Sequence, residues 1–212
     1  MTRPGRWASA ALLFLLALPA TAEEDDWTLA KREDGVEVYT RSVPNFAVKE
    51  FRASAVIPAP MDEVIGWWQD PTTYTEWLDR CAEARRVEDA SGVGANYLKF
   101  DFPFPASDRD VVLRATLVEE SDGTKVFEGS NVDGVVPDRE DAVRISMVRS
   151  RWEFRAQGEN ATQVAYQQHM DPSGMLPAFI LNRAAVDNPV NTLRGLIRYA
   201  ETNSSGSARG RR

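Results

Sequence analysis

The side chains that most often carry out chemistry are few in this sequence. His169 is the single histidine and Cys81 the single cysteine among 212 residues. One histidine cannot build a multi-histidine metal site, and His169 has no evident serine or cysteine partner. Cys81 has no histidine near it, so we interpret it as a buried, inert thiol. These residues therefore predict no metal ion, no cofactor and no nucleophilic catalysis.

Arg109, Tyr166 and His169 are the remaining candidates for polar chemistry inside the fold. Arg109 shares one face of a predicted strand with Val111 and Leu113. A buried guanidinium needs a hydrogen-bonding partner, which would be a ligand oxygen or an internal salt bridge; otherwise Arg109 lies at a strand end on the surface. Tyr166 has a hydroxyl that can donate to a polar group of a ligand.

The N-terminus has the pattern of a secretory signal peptide. Arg3 and Arg6 precede an apolar run over residues 8–18, and a small-residue site ends at Ala22. The run is shorter than the roughly 20 residues that span a bilayer. We expect residues 1–22 to be removed and the mature protein to be periplasmic or secreted. The formal net charge is −7, and an acidic chain without a basic stripe is a poor binder of nucleic acid.

The middle of the chain reads as a series of strands with two short helices. Helices are predicted at residues 64–68 and 72–78, and residues 27–32 read as a short helix or turn. The predicted strands cover residues 36–41, 47–57, 85–90, 95–102, 109–120, 124–130, 143–157 and 162–170. In the strand over 143–157, a bulge near Val148 would turn Arg149 and Arg151 outward.

Residues 177–201 form a predicted terminal helix. Phe179, Val186, Val190, Leu193 and Ile197 recur at helical spacing and define one apolar face. Pro189 lies inside the pattern, so we expect a kink or local break at 186–189, where the helix would bend during loading. Since no strand follows, the apolar face must pack in the concave side of the sheet. The predicted class is α+β, with a curved antiparallel sheet wrapped around a long C-terminal helix.

Several segments resemble the START family, the StAR-related lipid-transfer domains. DPSGMLPAFILN at 171–182 and NPVNTLRGLIRY at 188–199 are similar to the family's strand-to-helix junction and closing helix. FPFPASDRDVV at 102–112 resembles its Pro-rich lead into an Arg-Asp strand, and Trp77 and Trp152 lie where the family has tryptophans. The resemblance covers residues 27–201.

Membership in that family implies a helix-grip fold with an internal apolar tunnel, and binding of a sterol, phospholipid or other amphiphile. We therefore expect a lipid-binding domain over residues 23–201, a disordered tail over 202–212, and a monomer that touches membranes transiently. It would bind one lipid and shuttle it across the cell envelope without being an enzyme. Two alternatives stay open: a polyketide cyclase-like enzyme using Arg109, Tyr166 or His169, and a ligand-responsive envelope adaptor.

An internal tunnel has a physical cost that favours a ligand. An empty cavity costs about 24 cal/mol per Å³, so a lipid-sized void of order 500 Å³ costs roughly 10 kcal/mol. Total stability is only about 5–15 kcal/mol. The tunnel must therefore hold a ligand, hold water or partly collapse. The predicted lining residues are Leu98, Phe100, Arg109, Val111, Leu113, Met147, Tyr166, Phe179, Val186, Val190 and Leu193.

Overall fold

The structure is a computed structural model that describes residues 26–205 apart from residues 103, 105 and 175. The predicted signal peptide, residues 1–22, lies outside this part of the chain, as does the predicted tail from residue 206 onward. Residues 202 and 203 are helical, so the terminal helix extends slightly into the predicted tail.

Ten strands and three α-helices make up the described chain. The strands are β1 Thr28–Glu33, β2 Val36–Arg41, β3 Glu50–Ile57, β4 Cys81–Glu88, β5 Gly94–Phe100, β6 Asp108–Glu119, β7 Lys125–Asn131, β8 Ala142–Arg144, β9 Met147–Ala156 and β10 Thr162–Asp171. The helices are α1 Met61–Gln69, α2 Tyr74–Trp77, which a 3-10 turn at Pro71–Thr73 precedes, and α3 Ala178–Asn203. None of these helices is both long enough and apolar enough to cross a membrane.

The strands form one sheet in the order β1-β2-β3-β10-β9-β7-β6-β5-β4, with β8 beside β6. All neighbours on the main path are antiparallel, and β8 is parallel to β6. Helix α3 packs against β1, β2 and β3 on one side and α2 on the other, so it closes the concave face. The predicted α+β helix-grip class is confirmed.

Strand register explains why the inner face is apolar. Side chains alternate between the two faces of a strand, and paired residues on neighbouring strands share a face. Tyr166 pairs with Trp152, and Trp152 pairs with Phe127, which places three aromatic rings in one inward row. All three side chains are buried.

Two segment predictions are wrong. Residues 27–32 were predicted as a short helix or turn, but β1 covers Thr28–Glu33 and pairs with β2. This edge strand buries little of its surface, so it lacks the apolar alternation that marks a strand.

The predicted single strand over 143–157 is two strands. The strand is interrupted after β8, at Ile145 and Ser146. This interruption reverses the alternation of inward and outward side chains. Both Ile145 and Val148 consequently point inward although they are three residues apart. The change of face therefore lies just before the predicted bulge near Val148. Arg149 is exposed as expected, and Arg151 pairs with glutamates on the outer face.

Helix α3 runs through Pro189 without a break. The predicted local break at 186–189 is therefore absent. Proline in a helix removes one backbone hydrogen bond and crowds the preceding turn, which packing elsewhere along the helix can offset. Pro189 itself is buried, and the helix continues for 14 residues to its last residue, Asn203.

Candidate ligand-binding cavity

A cavity of about 540 Å³ lies between the concave face of the sheet and α3. This volume falls in the range of roughly 300–1,000 Å³ that is typical of small-molecule sites. We call the inner face of the sheet, together with the side chains of α1 and α2, the floor. We call residues 178–191 of α3 the roof, and residues 192–203 the anchor segment.

Aromatic side chains dominate the deep part of the floor. Trp152 stacks on Tyr166 with ring centroids 3.9 Å apart, and Trp68 from α1 lies 4.3 Å from Phe127. The polar atoms here have partners: Trp77 Nε1 donates to a threonine hydroxyl at 2.9 Å, and the Tyr166 hydroxyl donates to Gln168 Oε1 at 2.7 Å. Burial raises the pKa of Tyr166, so its hydroxyl stays protonated at neutral pH. This end of the cavity favours an apolar group.

Small residues on three neighbouring strands give the cavity its depth. Ala115 pairs with Gly129, and Gly129 pairs with Ser150, so the three lie in one row across β6, β7 and β9. All three line the cavity. A Cβ atom on Gly129 would lie 2.7 Å from Ser150 Oγ, so even one added methyl group would push into this row. Larger side chains here would fill the space.

The roof carries both apolar and polar side chains, and polar contacts hold it to both rims of the cavity. On one side the Lys49 backbone N–H donates to Asn182 Oδ1 at 3.1 Å, and Lys31 Nζ lies 3.3 Å from Asp187 Oδ1. On the other side Asn188 Nδ2 donates to an oxygen of Asp79 at 3.3 Å. Such exposed or half-exposed contacts each contribute little to stability.

Asp79 is the charged group that lies deepest in the wall of the cavity. Its side chain is 17 % exposed, and its neighbours are Arg80, with Nε 3.8 Å away, and two asparagines of the roof, Asn188 and Asn191. Burial raises the pKa of this carboxyl, because the Arg80 charge and the asparagine hydrogen bonds offset only part of the lost hydration.

The structure places six of the predicted lining residues at the cavity. Leu98, Phe100, Val111, Leu113, Tyr166 and Phe179 line it. Five others do not. Arg109, Met147, Val186, Val190 and Leu193 lie outside the lining.

Two local causes explain most of the misplaced residues. The break between β8 and β9 turns Met147 to the outer face, since Val148 points inward. On α3, Val190 and Leu193 are 1 % and 0 % exposed but pack in the solid core beside the cavity. The helix faces the cavity instead with residues such as Ala184, Asn188 and Asn191. The apolar periodicity therefore identified mainly the face of α3 that packs in the core, and not the face that lines the cavity.

Arg109 is buried, at 3 % exposure, and backbone carbonyls surround it. Its Nε donates to the Pro172 oxygen at 3.0 Å and its Nη2 to the Ser173 oxygen at 3.2 Å, and Nη1 donates to the Ser107 oxygen. The ring of Phe102 lies 5.2 Å from the guanidinium carbon. Burial lowers the pKa of Arg109 from its ordinary value. Within the described chain it pairs with no carboxylate, so it ties the loop before β6 to the loop before α3.

The single histidine and the single cysteine lie away from the cavity lining. His169 alternates with the inward residues Gln168 and Met170, so it points to the opposite face, where its ring meets Phe46 at 4.6 Å. Burial lowers its pKa. Burial also raises the pKa of the Cys81 thiol to about 12. No group of three histidine, cysteine or acidic side chains in the described chain has the spacing to hold a metal ion.

Sequence reasoning missed several lining residues, which include Trp68, Asp79, Ser150, Gln168, Asn188 and Asn191. A signal for Trp68 was present, because it lies one turn after the buried Val64 on α1. No local sequence signal identifies the polar lining residues, because a polar residue that faces a cavity gives the same sequence pattern as one that faces solvent.

A sheet that wraps around a terminal helix, with an apolar cavity between them, defines the helix-grip class of ligand-binding domains. The sequence profile described as the START domain matches residues 9–200. The chain belongs to this family.

Relatives span nearly the whole chain. A Pseudomonas aeruginosa protein, described as uncharacterised, is 33 % identical over 91 % of this chain and 94 % of its own length. A STAR-related lipid transfer protein from Xanthomonas axonopodis has 28 % identity and a TM-score of 0.75, over 82 % of this chain and 98 % of that one. The phosphatidylcholine transfer protein of Bos taurus is 20 % identical over 82 % of this chain and 84 % of its own length.

Proposed function

We propose that this protein binds one lipid-like amphiphile in the cavity and carries it between membranes of the cell envelope. The observation that carries the proposal is the 540 Å³ cavity with an aromatic and aliphatic floor. The names of the relatives, a STAR-related lipid transfer protein and a phosphatidylcholine transfer protein, support it.

The cavity is too costly to remain empty. At about 24 cal/mol per Å³, a void of 540 Å³ would cost about 13 kcal/mol, which equals most of the stability of an ordinary domain. An apolar ligand restores the lost contacts, because its carbon atoms meet the wall atoms that otherwise have no partner. An apolar ligand therefore stabilises the closed form more than water does, because water restores few of these apolar contacts.

Transfer between membranes follows from the same comparison of buried and exposed apolar surface. A lipid that moves from a bilayer into this cavity exchanges one apolar environment for another, so the net gain is small. Exposure to water during transit would cost about 0.8 kcal/mol for each CH₂ group. The cavity removes that cost, which permits transfer without tight binding.

Two exposed phenylalanines supply a contact with the membrane. Phe104 is 96 % exposed and Phe179 is 73 % exposed. The loop of Phe104 also carries Phe102, and both Phe102 and Phe179 line the cavity. Arg109 binds this loop to the loop that precedes α3, so the two segments that carry the exposed rings extend from the same end of the sheet. Insertion of these rings into a bilayer would bring the cavity entrance to the lipid.

A cavity-filling substitution tests the binding proposal. Ser150→Leu places a larger side chain in the small-residue row, and we expect at least a tenfold loss of lipid uptake from vesicles. Ser54→Leu makes the same change on the outer face of β3 and should leave uptake unchanged. Equal uptake by wild type and Ser150→Leu, with no lipid detected by mass spectrometry in the purified protein, would overturn the proposal.

The membrane contact has its own test. Phe104→Ser combined with Phe179→Ser should lower binding to vesicles at least tenfold, because about 1.4 kcal/mol of lost apolar transfer suffices for that factor. Val56→Ser removes an exposed aliphatic group from the outer face and serves as the control for a general loss of surface hydrophobicity. Vesicle co-sedimentation measures both; a loss of the same size for Val56→Ser would refute a localised contact.

We further propose that the protein acts as a monomer in the periplasm or outside the cell, after removal of residues 1–22. N-terminal sequencing of the protein from its native host tests the cleavage site, and an intact N-terminus would count against it. Transfer of lipid between vesicles separates the carrier from an adaptor that binds without releasing. Recovery of the ligand chemically unchanged separates it from a cyclase-like enzyme.

A further inference from the structure

The charged residues that line the cavity are not distributed evenly. Three of the five, Lys49, Asp79 and Arg80, belong to the two rims that hydrogen-bond the roof, and the other two, Arg183 and Asp187, belong to the roof itself. The described lining residues of the ten strands, α1 and α2 carry no formal charge. The charged groups of the described lining therefore lie on the roof and its rims, although the roof also turns apolar residues such as Phe179 and Ala184 to the cavity.

We propose that the bound amphiphile lies with its apolar body on the floor and its head group at the roof, beside Asp79, Asn188 and Asn191. This proposal rests on the proposed function, because it specifies how a ligand occupies the same cavity. It also specifies the class of ligand: an amphiphile with one polar end and one apolar body.

The floor is a poor environment for a charged head group. Removing a charge from water without pairing it costs many kcal/mol in an apolar setting. The hydroxyl of Tyr166 and the indole N–H of Trp77 already donate to protein acceptors, so a head group there would compete with existing bonds. Rings and chains meet no such cost against Trp68, Trp152 and Tyr166.

The roof and its rims provide the charged groups that the floor lacks. The Asp79 carboxylate is more enclosed than the other charged groups around it: its side chain is 17 % exposed, against 39 % for Asp187, 51 % for Arg80 and 83 % for Arg183. Screening by solvent weakens the exposed groups most. Asp79 therefore dominates the local field that a head group at the roof experiences.

A charge removal combined with a pair of matched probes tests the orientation. Single-chain amphiphiles are the simplest probes of the orientation, because each has one polar end and one apolar body. The probes are 1-tetradecanol and tetradecanoate, which share a chain and differ in the charge of the head group. Asp79→Asn removes a negative charge, so it must favour the acid over the alcohol if the head group lies at the roof. We expect the dissociation constant of tetradecanoate, divided by that of tetradecanol, to fall at least threefold at pH 8.5.

Glu128→Gln is the matched control, since it removes a negative charge on the outer face, where Glu128 pairs with Arg151. It should leave the ratio unchanged. An unchanged ratio for Asp79→Asn, or an equal shift for both variants, would overturn the orientation. If wild type binds neither probe and takes up no lipid from vesicles, the proposed function itself fails, which is a distinct result.

Fluorescence quenching gives a second test that leaves the roof intact. Tetradecanoate brominated at its last carbon should quench Trp152 at least twofold more than tetradecanoate brominated beside the carboxylate. The Trp152 component is the difference between wild type and Trp152→Phe. Stronger quenching by the bromine beside the carboxylate would place the head group on the floor and contradict the proposal.

Discussion

The two segments of α3 belong to one continuous helix but are held in different ways. The anchor segment buries Leu193, Leu196 and Ala200 completely, and Gly195 lies directly against the backbone of Trp77. The roof buries Leu181, Ala185 and Val190 less completely, hydrogen bonds and one ion pair tie its edges to the rims, and Phe179 near its start is exposed.

This difference teaches where the helix can move. Apolar burial of a leucine stabilises by about 1.5–3 kcal/mol, whereas a half-exposed hydrogen bond or ion pair contributes about 1 kcal/mol or less. The start of the roof, where Phe179 is exposed, can therefore separate from the rims at a lower cost than the anchor segment. Pro189, which cannot donate a backbone hydrogen bond, lies three residues before the anchor segment begins and is the point where bending costs least.

The largest expected effect comes from the anchor segment. Leu193→Ala should lower the free energy of unfolding by about 3–5 kcal/mol, because it removes buried contacts and leaves a cavity. Phe179→Ala in the roof should change it by less than about 0.5 kcal/mol, since that side chain is already exposed. Urea denaturation measures both, and similar losses would contradict the contrast between the two segments.

A close backbone contact gives the next effect. A Cβ atom on Gly195 would lie 2.1 Å from the Trp77 carbonyl oxygen, so Gly195→Ala forces the helix away from α2. We expect a loss of about 2–3 kcal/mol. Gly66→Ala is the control: it is also helical, has nothing within 4 Å, and should gain up to about 1 kcal/mol from helix propensity. Stabilisation by both substitutions would show that the contact between Gly195 and Trp77 can accommodate a methyl group.

Hydrogen exchange sharpens the comparison without any substitution. Without ligand, amides of residues 178–188 should exchange at least tenfold faster than those of 192–203, which corresponds to about 1.4 kcal/mol. Lipid should slow exchange in the first group and leave the second almost unchanged. Equal protection along the helix, with and without lipid, would eliminate the bend near Pro189.

The smallest expected effect is a pH dependence at Asp79. Because the folded protein raises the pKa of this carboxyl above its ordinary value of 3.8, folding is favoured below that value and loses this contribution as the pH rises through the folded pKa. Asp79→Asn should therefore stabilise the protein at pH 7 by a few tenths of a kcal/mol and have less effect near pH 3.5. Denaturation at both pH values measures this difference in the free energy of unfolding. A variant that is less stable than wild type at pH 7 would contradict the prediction.

The fold could be predicted largely from local patterns. Alternating strands, turn residues and the terminal apolar periodicity indicate an antiparallel sheet closed by one helix, and these signals depend only on near neighbours in sequence. Edge strand β1 and the break at Ile145 were not predicted. β1 pairs with the adjacent β2 but shows no apolar alternation because it is an exposed edge strand, whereas the break at Ile145 depends on β6, a partner far along the chain.

The cavity could be predicted less well. Most residues on continuous strands were placed correctly, as for Leu98, Val111 and Tyr166, but Arg109 at the start of β6 lies outside the lining. On α3 the prediction chose the most apolar face, and most of the cavity lies beside a different one. A helix that covers a cavity buries its strongest apolar side chains where packing is densest, so hydrophobicity alone identifies the face that packs in the core.

By itself, the sequence determined the class of the protein: a strand-rich chain that ends in an amphipathic helix, with a single histidine that rules out a multi-histidine metal site. Only the tertiary structure decided which face of that helix meets the cavity, that Arg109 binds carbonyls of two loops, and that charge is confined to the roof and its rims. Side-chain periodicity is a local property, whereas the environment of a polar group depends on segments that only folding brings together.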